Sequence, residues 1–108
     1  WLPSLLWRFD KNWKGLRREV PWVDRLPSEI IYEHIRLTLQ PVDEPPQPEF
    51  LLQTIEQIGS EDMLLFSSDY PHWQFDHNED ALPVKLSTSL EKKILFDNAL
   101  SVYQLDKN

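Results

Sequence analysis

Asp69 is the residue of this chain best placed to do chemistry. It directly follows Met63-Leu-Leu-Phe-Ser-Ser68, an apolar run with the character of a strand covered on both faces. A carboxylate at the end of such a strand can hold a hard or borderline cation. It can also take a proton from metal-bound water. Aspartate equally suits a turn ahead of Tyr70-Pro71, and position alone leaves the two readings level. His72 and Trp73 lie just beyond. An imidazole there can contact a substrate or serve as a structural hydrogen-bond partner. His77 sits among Asp76, Asn78, Glu79 and Asp80 and reads as solvent-exposed; His-x4-His in a loop is no recognised ligand spacing.

Arg8 lies between Trp7 and Phe9, where a guanidinium either snorkels or pairs with an anion. Its neighbour Asp10 is too close in sequence to face it along a helix. Trp7, Trp13 and Trp22 are expected in the core. The chain has two glycines, Gly15 and Gly59, so no glycine-rich phosphate loop exists, and no HExxH is present.

These residues need elements to position them. Leu2, Leu5, Leu6, Phe9, Trp13 and Leu16 recur at three- and four-residue steps, which predicts a helix over 2–18 with Pro3 in its first turn and Pro21 beyond its end. Pro27-Ser28-Glu29 opens a second, short helix, with Ser28 as a candidate cap. His34 to Leu39 alternates polar and apolar, the pattern of a strand beginning at His34. Four prolines between Pro41 and Pro48 make a stiff loop. Phe50, Leu51, Ile55 and Ile58 share the face of a helix over 49–58 that Gly59 stops. The next strand is 63–68, and 69–76 is an aromatic loop. Leu90, Ile94, Leu95, Leu100 and Tyr103 place a helix in the last third, with cap candidates in Leu86-Ser-Thr-Ser89.

Strands alternating with helices imply a βαβ unit and a parallel sheet. Two strands are too few for a sheet covered on both faces, so the pattern is that of part of something larger. The first residue, Trp1 rather than Met, reads as an internal start.

The 108 residues carry a net charge of -7, which argues against nucleic acid, since phosphate backbones are bound by clustered Lys and Arg. Lys11, Lys14, Arg17 and Arg18, and then Lys92 and Lys93, read as solvated helix faces. The absence of Cys excludes disulfides and thiolate metal sites. No apolar run is long enough to cross a bilayer, and no signal-peptide pattern is visible. A cytoplasmic location and no membrane partner are therefore expected.

The run Leu64-Leu-Phe-Ser-Ser-Asp-Tyr-Pro-His-Trp73 resembles the eighth barrel strand of the amidohydrolase-related family, the metal-dependent hydrolases and decarboxylases grouped with aminocarboxymuconate semialdehyde decarboxylase. Lys93-Ile-Leu-Phe-Asp-Asn-Ala-Leu-Ser-Val-Tyr103 is similar to that family's closing helix. Trp7-Arg-Phe-Asp10 and Arg25-Leu-Pro-Ser-Glu29 look like the segment after its sixth strand. The resemblance implies an α/β fold: residues 1–108 as the C-terminal segment of a (β/α)8 TIM barrel, about two strands with flanking helices. It implies that Asp69 closes a metal site and moves a proton, and that Arg8 contacts a substrate carboxylate. In the decarboxylases a second basic residue often follows four positions later, and here that position is Asn12. The family's His-x-His pair and later His ligands have no counterpart in these residues.

The expected function is thus a share in a metal-dependent hydrolase or decarboxylase acting on a small organic acid or amide. Asp69 is its catalytic and metal-ligating residue, and Arg8, His72 and Trp73 contact substrate. The divalent metal, zinc by this reading, belongs to a longer protein, and tight metal binding by this chain alone is not expected. The competing reading is a non-catalytic α/β module that binds a protein partner through its aromatic surface. Exposed strand edges also lead to an expectation of self-association, or of a helical rearrangement, that covers residues 63–68.

Overall fold

Pro3 fits the first turn of helix α1 (Leu2–Leu16) because its missing N–H would have had no helical partner there. In this computed structural model, which describes residues 1–71 and 82–105, α1 is followed by α2 (Pro27–His34), β1 (Leu37–Thr38), α3 (Pro48–Ile58), β2 (Leu64–Leu65), α4 (Thr88–Lys92), a π-helical turn (Lys93–Asp97) and α5 (Asn98–Tyr103). The first helix ends two residues before the expected 18.

The two strands pair in parallel, Leu37 with Leu64 and Thr38 with Leu65. With α3 as the crossover they form the βαβ unit that the alternating pattern implied. Both strands are shorter than the sequence suggested. The first does not begin at His34, because α2 runs through His34 and closes with Ile35 N–H donating to the Ile31 carbonyl. Arg36 then donates Nη1–H to the carbonyls of Tyr32 and Ile35, both at 2.8 Å, and so satisfies the end of α2 rather than extending a strand. At the other end, the ladder bonds Leu37 N–H to Met63 O and Leu39 N–H to Leu65 O give way to Gln40 N–H donating to Ser67 Oγ at 3.0 Å. Pro41 has no N–H with which to continue.

Helix α3 agrees with its pattern to within one residue. Gly59 ends it at φ 79, a left-handed conformation. A Cβ at Gly59 would also meet Tyr32 Oη at 2.8 Å, where that hydroxyl donates to the Ile58 carbonyl. Ser87 caps α4, its Oγ accepting from Leu90 N–H. Ser28 does not cap α2. It lies inside the helix, and the cap is supplied across space by Asp10, whose carboxylate accepts from Ser28 N–H at 2.9 Å and from Ser28 Oγ–H at 2.7 Å.

The core gathers Leu2 and Leu6 of α1, Ile58, Met63, Leu64, Leu82, Leu86 and Ile94. Met63, Leu64 and Leu65 are therefore buried by this chain's own helices, whereas Phe66 is 40% exposed. Covering Met63–Leu65 thus needs no second molecule. The tryptophans depart from expectation. Trp7 is 59% and Trp22 77% exposed, and Trp13 is half-buried with its indole N–H on the Val23 carbonyl at 2.9 Å. With Leu2 and Leu6 one turn apart on the buried face, Trp7 points about 100° around the helix from Leu6 and out of the core.

Candidate functional site

Behind β2 the chain turns at once into the segment that carries Asp69. Ser67 Oγ holds it to the start of the β1 loop through Gln40 N–H, and Ser68 Oγ accepts from Tyr70 N–H at 3.3 Å. Two neighbouring strands thus release their chains side by side at their C-terminal ends, with Asp69 on the outgoing loop. Asp69 is exposed and has φ 54. Aspartate tolerates the left-handed region better than most residues, yet a non-glycine residue there costs of order 1–3 kcal/mol, and such residues concentrate at functional sites. The conformation suits the turn reading and the functional reading together: the strand's direction is broken sharply and the carboxylate is presented beyond its end.

Arg8 stands elsewhere. It is exposed on α1 and lines a shallow hollow of about 460 Å3 with Trp7, Lys11 and Asn12. Among the described residues, none of β2 or its loop lines that hollow. Its flanking Trp7 and Phe9 are themselves exposed, so the guanidinium is not in the apolar setting the sequence suggested. Asp10 faces Ser28, as its sequence distance from Arg8 required. His72, Trp73 and His77 lie outside the described residues.

Among the described residues no group of three or more His, Cys, Asp or Glu is arranged to hold a metal ion. The described donors alone therefore do not make a metal centre, and Asp69 offers a single carboxylate. No helix among the described residues is long and apolar enough to cross a membrane.

At the opposite, N-terminal end of the strands lies a second polar constellation. Arg36, Asp62, Lys93, Asp97, Asn98 and Ser101 line a cleft of about 250 Å3. Its charges largely satisfy one another. Lys93 Nζ lies 3.0 Å from Asp62 and 3.1 Å from Glu61, and these contacts, the Asp62 hydrogen bond first, hold its ammonium above the usual lysine range. Lys92 pairs with Asp97. On α2, outside the cleft, the Arg25 hydrogen bond and charge hold Glu33 below the usual carboxylate range.

Asn98 is the buried member of that cleft, 5% exposed, and donates Nδ2–H to the carbonyls of Glu61 and Leu64, both at 2.9 Å. It ties the C-terminal helix to the base of β2. The π-turn adds another tie, Phe66 N–H donating to the Ile94 carbonyl at 3.0 Å. Asn98 holds the strand that carries Asp69, and sequence reasoning gave it no role. The available signal was an asparagine in mid-helix, where its propensity is poor and a specific partner is the usual reason for its presence.

No curated protein matches the chain. The family model described as Amidohydrolase matches residues 2–105, nearly the whole chain. The match covers the βαβ unit, the Asp69 loop and the closing helix together, and it gives the chain a hydrolase-family origin. The chain belongs to the amidohydrolase family.

Proposed function

We propose that residues 1–108 are the C-terminal part of an amidohydrolase (β/α)8 barrel, in the subgroup of aminocarboxymuconate semialdehyde decarboxylase, whose intact form hydrolyses or decarboxylates a small organic acid or amide. The family match carries the reading. The parallel βαβ unit supports it, since Asp69 follows the C-terminal end of β2 and barrel enzymes keep their reacting groups at that end of their strands. Asp69 acts in proton transfer: exposed beyond β2, its carboxylate takes a proton from the nucleophile and returns it to the leaving group. The family's divalent metal would need donors beyond those described, so no step is assigned to it from these residues. Arg8, on a surface hollow beside Lys11, has the charge to meet a substrate carboxylate but no contact with the Asp69 loop among the described residues.

The test is Asp69→Asn in the intact protein, which keeps size and left-handed tolerance and removes basicity. Turnover is expected to fall by about 10²–10⁴ with circular dichroism unchanged. A folded Asp69→Asn protein with near-normal turnover would falsify the assignment.

A further inference from the structure

Charge is unevenly distributed along this chain. Residues 1–18 hold five cations, Arg8, Lys11, Lys14, Arg17 and Arg18, against the single carboxylate of Asp10. From Leu37 to Val84 there is no Lys or Arg, while ten of the chain's 18 acids fall there. Among the described residues no ion pair joins the two groups. All five cations are exposed. Among the described residues none of them makes an ion pair, whereas Arg25, Lys92 and Lys93 all do. Asp10 is turned towards Ser28 and the N-terminus of α2. Beside the cations stands Trp7, 59% exposed, and tryptophan next to arginine is the composition of an interface anchor rather than of a merely solvated face.

We propose that the basic face of α1 docks on the acidic βαβ unit of a second copy of this chain. The complementary surface is Asp43, Glu44 and Glu49, all exposed around the proline-rich loop that leads into α3. Four prolines hold that loop stiff, so presenting its carboxylates costs little ordering entropy. Nucleic acid and anionic lipid would also attract α1. A second copy carries the same net charge of -7, so the contact rests on the local match between the basic face and the acidic patch and not on overall attraction. The surface of matching sign is on the chain itself. Because α1 meets a different patch, two copies can make the contact twice about a two-fold axis or once head-to-tail, the latter leaving one basic and one acidic face open unless a ring closes.

Sedimentation velocity of the intact protein tests this at about 0.01 M salt, where screening extends over about 30 Å, and at about 1 M, where it falls to about 3 Å. Dimers and larger species are expected at low salt, dissociating to the monomer at high salt. The variant Lys11→Glu/Lys14→Glu/Arg18→Glu and the variant Asp43→Lys/Glu44→Lys/Glu49→Lys should each be monomeric alone at low salt and should associate when mixed. The salt series on the unaltered chain decides even if a variant fails to fold. A monomer at low salt, or association indifferent to salt, would overturn the proposal. So would salt-sensitive binding to phosphatidylserine vesicles by a chain that stays monomeric.

Discussion

Asn98 and Asp69 sit at opposite ends of one strand, and the first fixes what the second can do. Removing the Asn98 side chain leaves the Glu61 and Leu64 carbonyls without their donor in a buried place. Asn98→Ala should therefore lower stability by about 1–3 kcal/mol, read as a drop in thermal midpoint. Asn98→Asp should do no better, since a carboxylate cannot donate to a carbonyl; equal stability of all three proteins would remove Asn98 from this role. Arg8 has a different kind of test. If it meets a substrate carboxylate, Arg8→Lys raises KM for carboxylate substrates, because the bidentate fork is lost, and leaves uncharged substrates alone. A KM unchanged for both classes makes Arg8 a surface residue only. Asp69 could be singled out from the sequence because an acid behind an apolar strand is visible without coordinates. Its left-handed backbone was not visible, since Ser68-Asp69-Tyr70 has no glycine to announce it. Asn98 stood in plain view, but its partners lie 37 and 34 residues away, and nothing local shows them.

Helices were more legible than strands for a physical reason. Periodicity and caps are local, and α3 with its Gly59 stop follows from them directly. Strand length is decided by the partner. The ladder of β1 and β2 is cut at one end by Pro41 and at the other by α2, whose helix carries on through the alternating pattern at His34. Ser28 shows a related limit: it was read as a cap on its own helix, and the cap came from Asp10, 18 residues earlier. That bond also joins α1 to α2 and puts a carboxylate at a helix N-terminus, where the helix dipole favours it. Asp10→Ala should cost about 0.5–2 kcal/mol and loosen α2 first. Hydrogen exchange should show faster exchange at Ser28 and the following amides, with α3 unaffected; uniform loss of protection across the chain would mean that Asp10 does not act as a cap.

At the scale of the whole molecule, the parallel order β1–α3–β2 followed from the alternation of elements, and the family match over residues 2–105 agrees with the resemblance read in Leu64–Trp73 and Lys93–Tyr103. The burial of Met63, Leu64 and Leu65 agrees with the reading of that run as a covered strand. Leu6, Leu86 and Ile94 share one buried cluster with Met63 and Leu64 within the chain. Among the described residues an open groove of about 450 Å3 is lined by Leu37, Leu39 and Leu64 together with Trp1 and Phe50. A complete barrel would fill such a groove. The proposal that these residues serve a larger metal-dependent enzyme can be checked by the intact mass and metal content of the gene product from its native source. A mass well above 12.9 kDa is expected, with a stoichiometric divalent metal that the isolated 108 residues do not retain. A 12.9 kDa monomer holding one tightly bound metal ion per chain would contradict it.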